Sequence, residues 1–463
     1  MKKTAIAAAL LFLSLTGCGT TTYDDFVFPE TDKSTLEPVG DIFNYNDYSS
    51  IPPTKEETNE TFVSDDGLCI IGKKEHYFDV SLDLTLGDHY NAGRSYAETV
   101  LKADPGFEKK ADAFLSDLII ASMTDVKKTQ RSSVLHSKIT SILHTLPDEY
   151  RDELEGFGSV FGNTKDIAPN DGVLSEYEAL LLQLAPDLLT DSVGYAVSVG
   201  GARTQSHKQL SAVVSVSYGR NGDYLSEDHC VLRMKNPDST ITSLTSLGIL
   251  NVNTAVNDKG VLVSLMNSYY DQGNDRTDTG GSCTFTLRNA IENCDNAENT
   301  AKQIISEADK FNRSYSVFLT DSTHSYSAEL CCDEDNRKYI LRDKDTKLLD
   351  GLGNNFSDCL VAVNQLTAYG MPDMITRKNN TLNSEYFKWI KSEEIFGGND
   401  LIDQSRLKEI LTYEKHGTPI TRIRNDDMIF MLIADHESRT LQADLVGNEG
   451  VQDTPEFIDL GTF

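Results

Sequence analysis

The spacing of apolar residues changes near Asp191, and no other feature of the sequence constrains the fold as strongly. Between residues 107 and 184, apolar side chains recur every three or four positions, which is the spacing of amphipathic helices. Over residues 193–199 they alternate with small residues, and after a polar loop they alternate again over 214–218, which predicts a hairpin with one buried face. Further strands are predicted at 261–266, 316–319, 360–363, 428–434 and 440–446. Helices followed by paired strands predict a layered α+β fold.

The N-terminus has the arrangement of an export signal with a lipid attachment site. Two lysines precede an apolar run over residues 4–13, which is too short to span a membrane. The run leads into a Leu-x-Gly-Cys sequence ending at Cys18, which resembles the bacterial lipobox, where the cysteine sulfur is acylated and becomes the new N-terminus. Residues 1–17 are therefore predicted to be a lipoprotein signal peptide. The alternative is an ordinary cleaved signal followed by a chance cysteine.

The residues after Cys18 indicate where the protein is held and how far the anchor reaches. Gly19 stands where an Asp would favour retention at the inner membrane, so we expect a lipoprotein of the bacterial cell envelope, in the outer membrane if the cell has one. Residues 18–66 are polar and are predicted to be a disordered tether. Order is expected to begin near Leu68.

Composition excludes some classes of partner and cofactor. The 463 residues include 42 basic and 72 acidic side chains, and the resulting net charge of −30 argues against nucleic acid and anionic membrane surfaces as partners. Seven cysteines follow Cys18 without a C-x-x-C pair matched to a second His or Cys cluster, so no zinc site is predicted. An odd number leaves at least one thiol free if every disulfide is intramolecular, and the sequence does not indicate the pairing.

The string Gly219-Arg220-Asn221-Gly222-Asp223 directly follows the second strand of the predicted hairpin. Taken alone, it is compatible with a strand-end turn bearing a surface ion pair. It also resembles the G-R-N-x-D segment of N-terminal-nucleophile hydrolases that cleave linear amides, among them choloylglycine hydrolases and acid ceramidase. The chain resembles in particular the acyl-coenzyme A:6-aminopenicillanic acid acyltransferase family, because further segments match that family's motifs in the same order. These segments are residues 86–96, 146–156, 257–267, 315–329 and 363–366.

The resemblance implies a precursor that cuts itself between Asp191 and Ser192. The family begins its first hairpin strand with Cys-Thr-Ser-Phe-Ala-Val, and this chain has Ser-Val-Gly-Tyr-Ala-Val from Ser192. The serine thus takes the place of the usual cysteine as the N-terminal nucleophile. A free α-amino group has a pKa of about 7.7–8.0, so it can act as the base that activates its own side chain. Thr204, Ser206 and Cys283 are weaker candidates for the nucleophile, since none of them starts such a hairpin strand.

The resemblance also assigns roles to four further residues. Asp223 would hold the α-amino group of Ser192, and Arg220 would line the nucleophile's pocket and stabilise charge. Asn267 would donate its side-chain amide to the oxyanion. Asn364 would position the nucleophile's amine or the substrate amide.

Together these matches imply an αββα four-layer sandwich, with a mostly helical pro-segment over residues 67–191 and a catalytic domain over 192–463. The expected activity is that of a hydrolase or acyltransferase for linear amide bonds, with a small N-acyl substrate, no cofactor, and two chains cut from one precursor. Two alternatives remain open. One is a catalytically decayed lipoprotein that serves as a binding or scaffold protein, and the other is an active but uncut enzyme with a different nucleophile.

Overall fold

The computed structural model describes residues 52–123, 126–162, 166–189, 192–217, 228–268, 280–333, 336–353, 356–372, 388–389, 392–393, 396–412, 423–424, 428–447 and 455–463. The predicted signal peptide and Cys18 lie outside these ranges. In the described part of the chain, no helix is long and apolar enough to cross a membrane.

The described residues form eight α-helices and sixteen strands. The strands are β1 (Glu60–Val63), β2 (Cys69–Lys73), β3 (Phe78–Asp83), β4 (Ser192–Val199), β5 (Leu210–Ser217), β6 (His229–Lys235), β7 (Thr240–Ser246), β8 (Thr254–Asn257), β9 (Leu262–Asn267), β10 (Tyr315–Thr320), β11 (Ser325–Cys331), β12 (Lys338–Arg342), β13 (Cys359–Val363), β14 (Met428–Asp435), β15 (Thr440–Leu445) and β16 (Phe457–Thr462). The helices are α1 (His89–Ala103), α2 (Phe107–Ser122), α3 (Lys128–Thr145), α4 (Asp148–Gly158), α5 (Glu176–Leu188), α6 (Cys283–Asn293), α7 (Ala297–Glu307) and α8 (Gln404–Leu411).

The strands form two sheets. The larger has ten strands in the order β1-β2-β3-β6-β7-β8-β9-β10-β11-β12, and the smaller has six in the order β13-β4-β5-β14-β15-β16. Neighbouring strands are antiparallel apart from β3 and β6, which run parallel. The predicted hairpin is β4 and β5, the second and third strands of the smaller sheet, and the five further predicted strands are β9, β10, β13, β14 and β15.

Three apolar clusters show how the layers stack. One lies between the sheets and combines Ala196 and Ala362 of the smaller sheet with Met266 and Phe318 of the larger. A second covers the outer face of the larger sheet with helices α1 to α7. The third covers the outer face of the smaller sheet with Trp389 and α8. The order of layers is helix, sheet, sheet, helix, and the predicted αββα sandwich is confirmed.

Several local expectations need correction. The tether predicted to end at residue 66 ends earlier, because β1 pairs with β2 and Thr54 bridges Ile458. The turn residues Gly87–Gly93 predict a helix from about Arg94, but helix α1 begins at His89, since the Asp88 side chain caps it by accepting the Asn91 N–H. Strands β6 to β8, β12 and β16 were not predicted. Strand β6 is buried at almost every position, β7 and β8 place Ser or Thr at buried positions, and none of the five strands shows a simple alternation of apolar and polar residues.

Asp295 followed by Glu298 predicts a capping box at the start of α7, but the observed cap differs. Asn296, not Asp295, caps this helix by accepting the Asn299 N–H at 2.9 Å. Asp295 instead accepts a hydrogen bond from the Asn296 side chain. The seven cysteines after Cys18 lie in the described residues, and all are free thiols.

The segment predicted to be cut away as a small chain is built into the same core as the rest. Its strands β1 to β3 extend the larger sheet, and its helices pack on that sheet's outer face. Helix α5 is buried on all sides, from Tyr177 to Leu188, which fits its almost continuous apolar sequence. The two predicted chains therefore share one hydrophobic core.

A buried ion pair also joins these two segments. The guanidinium of Arg288 on α6 donates to both carboxylate oxygens of Glu153 on α4, at 2.6 and 2.9 Å. The same guanidinium donates to Glu292 at 2.9 Å and lies 4.8 Å from the Tyr150 ring centre. Burial alone would raise the pKa of Glu153, but the charge of Arg288 and the hydrogen bonds from His89 and Arg288 lower it. Both partners are almost completely removed from solvent.

We expect Glu153→Gln to lower the free energy of unfolding by about 3 kcal/mol, because it leaves the charge of Arg288 buried and only partly compensated. Chemical denaturation of the two proteins measures this difference. Glu298→Gln is the matched control, since Glu298 pairs with Lys302 on an exposed helix face and should change stability little. Equal effects of the two substitutions would contradict the structural role of the buried pair.

Candidate active site

Four strand ends meet at the place where the predicted nucleophile lies. Ser192 is the first residue of β4 and stands opposite Ser217, the last residue of β5. Strand β13 ends at Val363, which pairs with Tyr195 of β4. In the other sheet, β9 ends at Asn267. The hairpin, β13 and β9 thus bring Ser192, Asn267 and the residue after Val363 to one end of the sandwich.

Asn364 links these strand ends through its side chain. Its Oδ1 accepts the Gly194 N–H at 2.6 Å, and its Nδ2 donates to the backbone carbonyl of Asn267 at 3.3 Å. The side chain is 1% exposed. Strand β13 ends one residue earlier, at Val363. The side-chain amide of Asn364 therefore continues the hydrogen bonding between β13 and β4, and it also makes a hydrogen bond to the second sheet. The strand that begins with Ser192 is therefore fixed two residues after its start.

Gly194 allows the two sheets to come this close. A Cβ at this position would lie 2.9 Å from Met266 Cγ and 3.2 Å from the Val214 carbonyl oxygen. A serine at this position would therefore need Met266 to move. The sequence did not reveal this constraint because Met266 is distant in the chain and lies on the other sheet.

A buried carboxylate, which the sequence analysis missed, fixes the end of α5 shortly before Ser192. Asp187 accepts hydrogen bonds from Ser282 Oγ at 2.5 Å, from Thr284 Oγ1 at 2.8 Å and from the Cys283 N–H at 2.8 Å. Burial raises the pKa of this carboxyl group. The carboxylate sits at the N-terminus of α6, a favourable place for an anion. Its position near the C-terminus of its own helix is unfavourable, and that mismatch is the sequence signal that points to a tertiary partner.

Asp187 also contacts β10, the strand that pairs with the end of β9. The Tyr315 hydroxyl donates to Asp187 at 3.4 Å, and Tyr315 is the register partner of Asn267. The last turn of the predicted small chain is thereby tied to the strand next to the site.

The weaker nucleophile candidates lie elsewhere. Cys283 is fully buried at the start of α6, where burial raises the pKa of its thiol well above the usual value. Thr204 and Ser206 follow the far end of β4, an eight-residue strand about 25 Å long. The Thr204 hydroxyl donates to the Lys208 carbonyl at 2.7 Å, and the Ser206 hydroxyl accepts the Lys208 N–H at 3.2 Å. These three residues are not part of the cluster of strand ends.

Three of the predicted site residues lie outside the described residues: Asp191, Arg220 and Asp223. The described stretch that begins with Ser192 ends at its register partner Ser217, two residues before Gly219. The roles of Arg220 and Asp223 stay predictions.

No protein-family model and no curated protein sequence matches this chain. Three solved structures are similar to parts of it. The Caenorhabditis elegans ortholog of N-acylethanolamine-hydrolyzing acid amidase has 12% identity and a TM-score of 0.35, over 52% of this chain and 92% of that one. A variant of the conjugated bile acid hydrolase from Clostridium perfringens has 12% identity and a TM-score of 0.31, over 58% and 97%. Penicillin V acylase from Agrobacterium tumefaciens has 11% identity and a TM-score of 0.26, over 59% and 85%. Identities and scores this low assign no function to the chain.

We expect Gly194→Ala to lower the free energy of unfolding by about 1–3 kcal/mol, because the added methyl group overpacks the contact with Met266. Met266→Ala should cost stability on its own by leaving a cavity. In the double variant the two effects should partly cancel, and chemical denaturation of all four proteins measures that coupling. Strictly additive changes in the free energy of unfolding would contradict a steric contact between residues 194 and 266.

Proposed function

We propose that this chain is an autoprocessed N-terminal-nucleophile hydrolase or acyltransferase that acts on linear amide bonds of N-acyl compounds, with Ser192 as the nucleophile. The observation that supports this most is the Asn364 side chain, which joins the start of β4 to the end of β9. It brings the predicted nucleophile, the predicted oxyanion donor Asn267 and Asn364 itself to one end of two stacked sheets. In the sequence, the G-R-N-x-D string begins two residues after β5 ends at Ser217, the register partner of Ser192.

The proposed processing is an attack by the Ser192 hydroxyl on the peptide bond that precedes it. The Ser192 hydroxyl attacks the carbonyl carbon of Asp191, and an ester bond replaces the peptide bond as the α-nitrogen takes up a proton. Water then hydrolyses the ester. This releases the Asp191 carboxylate, restores the Ser192 hydroxyl and leaves a free α-amino group.

The processed site carries its own base. The α-amino group, with an ordinary pKa of about 7.7–8.0, takes the proton from the Ser192 hydroxyl as the oxygen attacks the amide carbonyl of the substrate. The acyl group passes to Ser192 Oγ, and the substrate's amine leaves with the proton. Water, or an amine acceptor in acyl transfer, then removes the acyl group. Asn267 stabilises the oxyanion, a contact of about 3 kcal/mol in comparable sites.

The remaining site residues position these groups. Asp223 holds the α-amino group, Arg220 lines the pocket, and Asn364 fixes the strand that bears the nucleophile. No cofactor takes part in these steps. The substrate is a small N-acyl compound, such as an acylated amino acid, lactone or amine.

Processing would give two chains that stay together without a covalent link. The all-round burial of α5, the Asp187 contacts with the start of α6 and the Glu153–Arg288 pair all join residues before Asp191 to residues after Ser192. We propose that lipid on Cys18 then anchors the smaller chain to the cell envelope and that the larger chain is retained through these contacts. The net charge of −30 disfavours nucleic acid as a partner.

The second candidate is an uncut binding or scaffold lipoprotein. The observation that favours it is the serine at 192, because a hydroxyl has a far higher pKa than a thiol and depends more on an activating base. The two candidates differ in whether the chain is cut and whether Ser192 matters.

We expect Ser192→Ala to abolish both the cut and amide hydrolysis, because the substitution removes the nucleophile of both reactions. Denaturing gels of freshly purified protein show the cut, and a panel of N-acyl amino acids, lactones and amines measures hydrolysis. Ser206→Ala is the matched control at the far end of β4 and should behave like the wild type. If the wild type stays whole and hydrolysis is the same in Ser192→Ala, the proposed nucleophile is wrong.

We expect Cys18→Ser to move the protein from the detergent phase to the aqueous phase in a Triton X-114 partition. The substitution removes the sulfur that is predicted to be acylated, and without acyl chains on residue 18 the protein has no firm membrane anchor. Cys294→Ser changes a partly exposed cysteine of the folded region and should leave the partition unchanged. Both chains of a cut wild-type protein should partition together in native buffer. A Cys18→Ser protein that stays in the detergent phase contradicts the lipid anchor.

A further inference from the structure

A second buried ion pair, between Glu329 and Arg342, contacts the segment that carries Asn364. Arg342 of β12 donates from Nε to Glu329 Oε1 of β11 at 2.7 Å, and both side chains are almost fully buried. Arg342 also donates from Nη2 to the Val361 carbonyl of β13 at 2.7 Å. The pair therefore belongs to the larger sheet but contacts a strand of the smaller one.

The carboxylate of Glu329 makes its other hydrogen bonds to the loop after β13. Its Oε2 accepts the N–H groups of Thr367 and Ala368 at 2.7 and 2.8 Å, and its Oε1 accepts the Thr367 hydroxyl at 2.7 Å. A buried ion pair contributes little net stability compared with apolar packing, because desolvation offsets the attraction. The pair instead fixes the position of the loop, because three hydrogen-bond donors of this short segment bind the single carboxylate of Glu329.

The loop between β13 and Thr367 is consequently held at both ends. Val363 is fixed by its pairing with Tyr195, and Thr367 by Glu329. Only Asn364, Gln365 and Leu366 lie between these anchors, and Val363 and Gln365 form a bridge across Asn364. Few backbone conformations remain for Asn364, so its side chain is held in place to accept the Gly194 N–H.

We propose that Glu329, oriented by Arg342, is a positioning residue that sets the Asn364 side chain against the start of β4. This inference rests on the proposed function for its catalytic meaning, but the positioning itself is independent of cleavage and turnover. Removing the carboxylate charge would free the loop, and the Asn364–Gly194 hydrogen bond would open more often. Glutamine cannot replace Glu329 here, because its NH₂ group would have to face either the two loop N–H donors or the Arg342 guanidinium.

Hydrogen exchange of the Gly194 amide tests the proposal directly. The measurement uses the full chain with Ser192→Ala in every sample, so all proteins are uncut whether or not the wild type processes itself. Mass spectrometry with residue-level fragmentation follows the Gly194 amide in four proteins: the Ser192→Ala parent and the parent with Glu329→Gln, Asn364→Ala or Glu153→Gln. Glu153→Gln is the matched control, since it breaks an equally buried Glu–Arg pair that does not contact the 364–368 loop.

We expect Glu329→Gln and Asn364→Ala each to speed exchange at Gly194 by about tenfold relative to the Val197 amide of the same strand. Glu153→Gln should change this ratio less than about twofold, because a loss of global stability speeds both amides alike. If Glu329→Gln leaves the ratio at the parent value, or if Glu153→Gln raises it equally, the positioning role is wrong. An unchanged rate in Asn364→Ala also overturns the proposal. Should Glu329→Gln fail to fold, Thr367→Val removes one contact to the same carboxylate without burying a charge, and it must speed exchange at Gly194 for the proposal to stand. A wild type that proves uncut would refute the proposed function and leave this result unaffected.

Discussion

The close approach of the two sheets at Gly194 is the constraint on which the site depends. A side chain at this position would meet Met266 Cγ at 2.9 Å, so strands β4 and β9 lie together only where residue 194 has none. At that separation one asparagine side chain reaches both sheets: Asn364 accepts the Gly194 N–H and donates to the Asn267 carbonyl. The end of the sandwich therefore has one defined geometry around the first residue of β4, and a reaction at that residue needs such a fixed frame.

The same sandwich explains how a chain cut in its middle could stay in one piece. The residues before the predicted cut supply three strands of the larger sheet and most of the helical layer on its outer face. Charged and polar contacts, from Glu153 to Arg288 and from Asp187 to the start of α6, reinforce the shared apolar core. A lipid on the smaller chain would thus be enough to retain the larger one, and the anchor and the nucleophile need not lie on the same chain.

The sequence predicted the features that depend on local pattern. The change of period at Asp191 placed the helices and the central hairpin, and the strand ending at Asn267 was located from its own residues and family motif. The sequence alone could not predict features that depend on contacts between residues far apart in the chain. Gly194 needs Met266 as its neighbour, Asp187 needs α6, and Glu329 needs the loop after β13, and none of these partners lies nearby in the chain. Strand β6 was missed because it is buried at almost every position, and β7 and β8 because Ser and Thr occupy buried positions, so these strands show no clear alternation.

The central claim is that Ser192 becomes the first residue of a new chain. N-terminal sequencing of the larger fragment of purified wild-type protein tests this most directly, because it identifies the residue that carries the free α-amino group. We expect the sequence Ser-Val-Gly-Tyr from Ser192, and no such fragment from the Ser192→Ala protein. An intact wild-type chain, or a fragment that begins at any other residue, would contradict it.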